Sequence, residues 1–176
     1  MDSRRTTHTA RNQHIPTAIV DDADRLSIAA HEAAALYDQG FYCSEAVLRV
    51  AAAHAGVSAP PEMLCLATGF GAGMGHSGAV CGALSGAVMA AGLLCGKSSE
   101  HESDPQAARA ARKLHKRFRE ELGSTSCSDI IRPYGGMRGD GRHEHCREVT
   151  ALCARWVLEL AEESGWIAVD SSARSS

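Results

Sequence analysis

The 176-residue chain has the length of one ordinary domain, and its formal net charge is −3. Hydrophobic residues make up 44% of it but aromatic residues only 5%, which favours closely packed helices over a β-sandwich. The sequence contains no long run of Lys or Arg, so we expect no nucleic-acid partner.

The N-terminal residues do not resemble an export signal. Arg4 and Arg5 form a pair, but no apolar stretch follows them in residues 1–20. We predict a flexible arm over residues 1–20, one helical domain over residues 21–166 and a flexible tail over residues 167–176.

Helical periodicity and helix-ending glycines predict an all-α fold, a single-domain bundle of about five helices with glycine-rich loops. No segment alternates between apolar and polar residues over five or more positions, so we expect no strand. In the first half of the chain we expect a helix over 21–40, a second over about 44–55 and a short third after Pro60. A glycine-rich loop at 69–78 and an apolar helix over 79–94 follow. In the second half we expect a helix from Pro105 to Gly123, a short turn of helix at 126–129, a loop over 132–142 and a final helix over 143–164.

Residues 79–95 are uncharged and must be considered as a membrane span. The run has only 17 residues, which is the lower limit for crossing a bilayer, and it consists mostly of Ala and Gly. We therefore predict a buried core helix, and no membrane association.

The segment Gly73–Gly78 matches the dinucleotide fingerprint G-x-G-x-x-G. That motif binds a nucleotide only between a strand and a helix of a βαβ unit. The residues before it, Pro61–Thr68, have the composition of a helical turn, so we predict that the glycines serve tight backbone turns instead.

Seven cysteines without an export signal indicate a reducing compartment, and we expect a cytoplasmic protein. The absence of CxxC and CxxCH motifs argues against a zinc ribbon, a thioredoxin-type site and covalent haem. Four cysteines fall within about one turn of a predicted helix start, where free N–H groups favour the thiolate form; they are Cys43, Cys81, Cys127 and Cys146.

The other three, Cys65, Cys95 and Cys153, lie in apolar runs and are predicted to be buried hydrophobic residues. Helix geometry supports this division, because Cys146 and Cys153 would be about 10 Å apart on one helix. By the same arithmetic Cys81 and Cys95 would be about 21 Å apart, so at most one of each pair joins a compact site.

The four cysteines at helix starts are compatible with three kinds of site. They could ligate an iron–sulfur cluster, [2Fe–2S] or [4Fe–4S], or a zinc ion. Without metal they could form two reversible dithiol pairs. Zinc ligands usually come in closely spaced pairs, which disfavours zinc.

Three stretches together resemble a known family. They are Cys43-Ser44-Glu45-Ala46-Val47-Leu48, the loop GFGAGMG at 69–75, and Cys81-Gly82-Ala83-Leu84-Ser85-Gly86, with two later cysteines. The pattern resembles the C_GCAxxG_C_C family of redox-active proteins over roughly residues 25–160.

The resemblance implies a helical fold and an iron–sulfur cluster on Cys43, Cys81, Cys127 and Cys146, used in electron transfer or other redox chemistry. It also implies a relation to the split-Soret cytochromes, and with it a homodimer. The chain lacks a haem-attachment motif, so the haem of those cytochromes is not expected here. Neither the redox partner or substrate nor whether the protein is an enzyme follows from the resemblance.

Several further residues could act at such a site. His76 stands where the family favours an arginine, and His145 adjoins Cys146, so either could ligate a metal. Arg132, Arg138 and Arg142 lie in or beside the loop at 132–142 and could bind an anion, although a solvated loop is the simpler interpretation.

Overall fold

The computed structural model of the protein describes residues 22–100 and 106–167. Within them the chain forms seven α-helices and no β-strand. The helices are α1 Asp22–Asp38, α2 Cys43–His54, α3 Pro61–Cys65, α4 Gly82–Cys95, α5 Gln106–Leu122, α6 Cys127–Ile131 and α7 Arg142–Glu163.

The all-α prediction is confirmed, but the predicted number of about five helices is wrong. The count exceeds five because of α3 and α6, which have five residues each and lie where a short third helix and a short helical turn were expected. A periodic apolar pattern needs two or more turns, so helices this short are determined by their caps and by contacts with the rest of the fold. Ser126, for example, caps α6 by accepting a hydrogen bond from the Asp129 N–H at 3.3 Å.

The five longer helices enclose one core, in which α1 packs along α7 and α2 packs along α4. Much of this core is alanine, which lets the helices approach closely. The largest fully buried side chain is Phe118 on α5, whose ring meets Trp156 of α7 edge-on at 6.4 Å.

The apolar run at 79–95 forms α4, half of whose residues are buried, and the helix packs in the core as predicted. No helix in the described part of the chain is long and apolar enough to cross a membrane. The helix begins at Gly82 and not at residue 79, because backbone hydrogen bonds pair residues 78–81 with residues 125–128.

The glycine-rich segment after α3 is a left-handed turn. Residues 72–76 all have positive φ, between 51° and 74°. A left-handed conformation costs roughly 1–2 kcal/mol for each residue with a side chain, here Ala72, Met74 and His76. In the described residues no strand precedes this turn, which agrees with the prediction that Gly73–Gly78 is not a dinucleotide motif.

The predicted arm over residues 1–20 lies outside the described residues, as does the predicted tail apart from its first residue, Ile167. Ile167 itself is buried against the core.

Helices α2 and α4 touch at Gly86. A Cβ added at this glycine would lie 2.5 Å from the backbone oxygen of Ser44, which is far closer than real Cβ contacts allow. Ser44 is fully buried, and its hydroxyl donates to the Ala67 carbonyl oxygen at 2.7 Å. The backbone of α2 is therefore fixed from both sides at this contact.

We expect Gly86→Ala to lower the free energy of unfolding by about 2 kcal/mol, because a buried methyl group would push α4 away from α2. Gly92→Ala is the matched control on the same helix. Gly92 is exposed, and nothing lies within 4 Å of a Cβ added there. The substitution should therefore stabilise the protein by roughly 0.5–1 kcal/mol. Urea denaturation measures both values, and equal effects of the two substitutions would contradict the close contact.

Candidate functional site

Cys43, Cys81, Cys127 and Cys146 all line one cavity of about 240 Å³. Cys43 is the first residue of α2, Cys81 directly precedes α4, and Cys127 is the first residue of α6. Cys146 lies at the start of the second turn of α7. The first three cysteines are buried and Cys146 is half-buried. The structure thus brings together the four cysteines that were selected by their position at helix starts.

Backbone pairing holds Cys81 and Cys127 on neighbouring segments. The Cys81 N–H donates to the Thr125 carbonyl oxygen at 2.9 Å, and the Cys127 N–H donates to the Ala79 carbonyl oxygen at 2.6 Å. A single antiparallel bridge between Val80 and Ser126 lies between these bonds. The extended residues before α4 and before α6 therefore fix one cysteine relative to the other.

Glycines make room for the remaining cysteine contacts. A Cβ on Gly82 would lie 2.6 Å from the Cys43 sulfur, and a Cβ on Gly73 would lie 2.7 Å from the Cys127 Cβ. Any side chain at either position would displace a cysteine from its present place. This contact gives a physical reason for glycine directly after Cys81.

Burial dominates the electrostatics of the thiols. Burial, with smaller contributions from the neighbouring Cys146 and Cys127, raises the pKa of Cys43 to about 12. Burial likewise raises the pKa of Cys81, Cys127 and Cys146 above the usual thiol range. Hydrogen bonds from the N–H groups of Ala83 and Leu84 act in the opposite direction on Cys81, but they are the smaller effect.

These shifts correct one expectation from the sequence. The positions near helix starts are as predicted, but the prediction that they favour the thiolate is wrong for the thiols of the metal-free protein. The free-energy cost of removing a thiolate from water is larger than the stabilisation that the N–H groups at a helix start provide. The metal-free site therefore holds protonated thiols.

The cavity lining also includes four polar groups that the sequence did not indicate, Tyr37, Asp38, Tyr42 and His143, together with His76 and Arg142, which it did. The Tyr37 side chain lowers the pKa of the Cys146 thiol against the larger effect of burial, and burial raises the pKa of Tyr37. The Tyr37 ring also lies 5.1 Å from the His143 ring. Tyr37 has the spacing of a core position on α1, so no signal in the sequence distinguishes it from other core residues.

Asp38 contributes a carboxylate to the cavity lining, and two basic side chains lie next to this carboxylate. The Arg147 Nε donates to Asp38 at 2.9 Å, and His143 lies 3.7 Å from the same carboxylate. Asp38 is therefore engaged with basic side chains beside the cavity.

The two histidines suggested as ligands have different surroundings. His76 is exposed and lines the cavity, with its Nε2 3.0 Å from the Tyr42 hydroxyl. His145 is not on the lining, and its ring stacks on Tyr134 at 4.0 Å. Its Nε2 is buried without a hydrogen-bond partner among the described residues, and burial lowers its pKa.

The three arginines suggested as anion-binding residues differ in their position relative to the cavity. Arg132 is exposed and pairs with Asp129, and Arg138 is exposed as well. Only Arg142 of these three lines the cavity, where its positive charge lowers the pKa of Cys127 and Cys146 against the effect of burial.

Cys65, Cys95 and Cys153 were predicted to be buried, and the structure agrees with this prediction only in part. Cys153 is buried, and the neighbouring Cys43 adds to the effect of burial in raising its pKa. Cys95 is half-buried and its thiol donates to the Ala91 carbonyl oxygen at 3.1 Å. Cys65 is exposed, so its prediction is wrong, because α3 is a single turn with no buried residue.

In residues 22–100 and 106–167 no three His, Cys, Asp or Glu side chains form a group arranged to hold a metal ion. The four cysteines share a cavity wall, but their role as ligands stays a prediction.

Residues 41–160 match the model of a protein family described as "Putative redox-active protein (C_GCAxxG_C_C)". The match covers more than half of the chain and includes all four cysteines of the cavity. No curated protein and no solved structure matches the chain. The expected relation to the split-Soret cytochromes stays a prediction.

We expect iodoacetamide to modify the cysteines of the reduced, metal-free protein in a fixed order at pH 8. Exposed Cys65 should react first, and buried Cys43, Cys81 and Cys153 last. Because the pKa of Cys43 is about 12, its thiolate fraction and its labelling rate should rise about tenfold per pH unit above pH 8. Peptide mass spectrometry gives the rates, and labelling in urea is the control in which the order should disappear. Labelling of Cys81 as fast as that of Cys65 would contradict the burial of the site.

Proposed function

The chain belongs to the C_GCAxxG_C_C family, and we propose that its four-cysteine cavity holds an iron–sulfur cluster that serves electron transfer or other redox chemistry. One observation supports this proposal: four thiols from four separate segments, those of Cys43, Cys81, Cys127 and Cys146, line the same cavity. The family description supports redox activity, and the cluster is the further step that we propose.

The chemistry of the donor set fits such a group. Protein-bound iron–sulfur clusters are held mainly by cysteine thiolates. The cavity offers four thiols, and its carboxylate Asp38 is engaged with Arg147 and His143. Gly82 keeps side-chain atoms away from the Cys43 sulfur, which leaves that sulfur accessible from the cavity.

The raised thiol pKa values also fit a metal-bound site. Four buried thiolates would repel one another, and a bound metal provides the positive charge that lets them lose their protons. A cluster, once bound, supplies one-electron redox chemistry. Loading the site should therefore release protons from the cysteines to solvent.

The surrounding residues would tune and protect the sulfurs. The backbone N–H groups of Ala72, Ala83 and Leu84 and the Tyr37 hydroxyl lower the pKa values of cavity thiols. Groups that stabilise negative charge on sulfur also adjust the reduction potential of a bound cluster. The buried side of the cavity excludes water from Cys43 and Cys81.

A metal-free dithiol–disulfide protein is the second candidate. The position of Cys146 favours it, because Cys146 shares the cavity with Cys43 and lies near enough to raise the pKa of Cys43. The raised pKa values oppose it, because the thiolate is the form that attacks a disulfide. A structural zinc ion is the third candidate, and metal analysis separates it from a cluster.

We propose a reducing compartment, the cytoplasm, for any of these sites, because all seven cysteines are free thiols. The homodimer implied by the resemblance remains a proposal that size-exclusion chromatography with light scattering would test.

We expect the protein purified without oxygen to be brown and to contain iron and acid-labile sulfide. Cys81→Ser should reduce iron content by more than tenfold, because it removes one thiol from the cavity wall. Cys95→Ser should retain the iron of the unaltered protein, because Cys95 is half-buried and does not line the cavity. Iron and sulfide assays with visible absorption spectra make the comparison.

Three outcomes would count against the proposal. A colourless protein without iron after cluster reconstitution would exclude the cluster. One zinc per chain without a redox couple would favour the structural alternative. Equal iron content in the two variants would remove Cys81 from the ligand set.

A further inference from the structure

Arg142 is a cavity residue whose charge has no acidic partner. It is the first residue of α7, and its side chain lies on the wall of the four-cysteine cavity. In the described part of the chain no carboxylate pairs with it, whereas Arg132 pairs with Asp129 and Arg147 pairs with both Asp38 and Glu144. The carboxylate on the cavity wall is therefore committed to another arginine.

A half-buried guanidinium without a carboxylate is costly unless another negative charge faces it, since arginine stays charged at all ordinary pH values. Cys127, Cys146 and Tyr37 line the same cavity as Arg142. Cys127 and Cys146 become thiolates when they ligate a metal.

We propose that Arg142 is a positioning residue that supplies the fixed positive charge for the loaded cysteine site and raises its reduction potential. This inference rests on the proposed function, because it assigns a role toward the bound cluster. Reduction adds one negative charge to the site, and a nearby cation stabilises the reduced form more than the oxidised form. The charge of Arg142, and not its shape, is the property that matters.

Potentiometric titration of the iron-loaded protein tests this role. Arg142→Gln should shift the one-electron equilibrium toward the oxidised form by several-fold, up to about tenfold, which corresponds to about 59 mV. Arg142→Lys keeps the charge and should restore most of the potential. Arg138→Gln is the control, because Arg138 is exposed and is not on the cavity lining. Iron content must be equal in all four proteins for the comparison.

Alkylation of the metal-free protein gives a second readout that needs no cluster. Arg142→Gln should slow the iodoacetamide reaction of Cys127 and Cys146 several-fold, because both thiols lose a cation that shares their cavity wall. The rate of Cys65, which is exposed and is not on the cavity lining, should not change.

The two failures are distinguishable. Absence of iron from the unaltered protein contradicts the proposed function, and the alkylation rates then still decide whether Arg142 acts on the thiols. Iron-loaded Arg142→Gln with an unchanged potential overturns the inference while the cluster stands. Equal alkylation rates in Arg142→Gln and the unaltered protein overturn it as well.

Discussion

The close approach of α2 and α4 is the constraint on which the candidate site depends. Gly82 and Gly86 are four residues apart, so they lie on one face of α4, and both face the start of α2. At Gly86 the backbone of Ser44 occupies the place of a side chain, and at Gly82 the Cys43 sulfur does so. Cys81 directly precedes this face, so the packing of two helices without intervening side chains puts Cys43 and Cys81 at the same cavity.

The other half of the site is attached to this helix pair by backbone hydrogen bonds. Residues 78–81 pair with residues 125–128, which carries Cys127 to the cavity, and the long helix α7 contributes Cys146. The left-handed turn at residues 72–76 contributes Ala72 and His76 to the lining of the same cavity. Three residues with side chains adopt a costly conformation there, and that strain is located at the site and not elsewhere in the described fold.

Burial and charge compete at this site, and the competition bears on its chemistry. The same exclusion of water that protects the thiols also keeps them protonated and weakly nucleophilic. Protonated thiols are poorly suited to attack disulfides. They lose their protons when a cation binds next to them. A metal would supply most of that charge, and Arg142 supplies a fixed unit of it on the cavity wall.

The sequence by itself determined the all-α fold, the rejection of the dinucleotide motif and the choice of four cysteines. Those inferences depend on local properties: helical periodicity, the strand that the motif requires, and the position of Cys43, Cys81, Cys127 and Cys146 relative to helix starts. Only the tertiary structure decided that these four thiols share a cavity with Tyr37 and Arg142, and that Cys65 is exposed. It also reversed the expected direction of the thiol pKa shifts. Burial is a property of the packed chain, whereas the N–H groups at a helix start can be identified from sequence, and burial is the larger effect on these thiols.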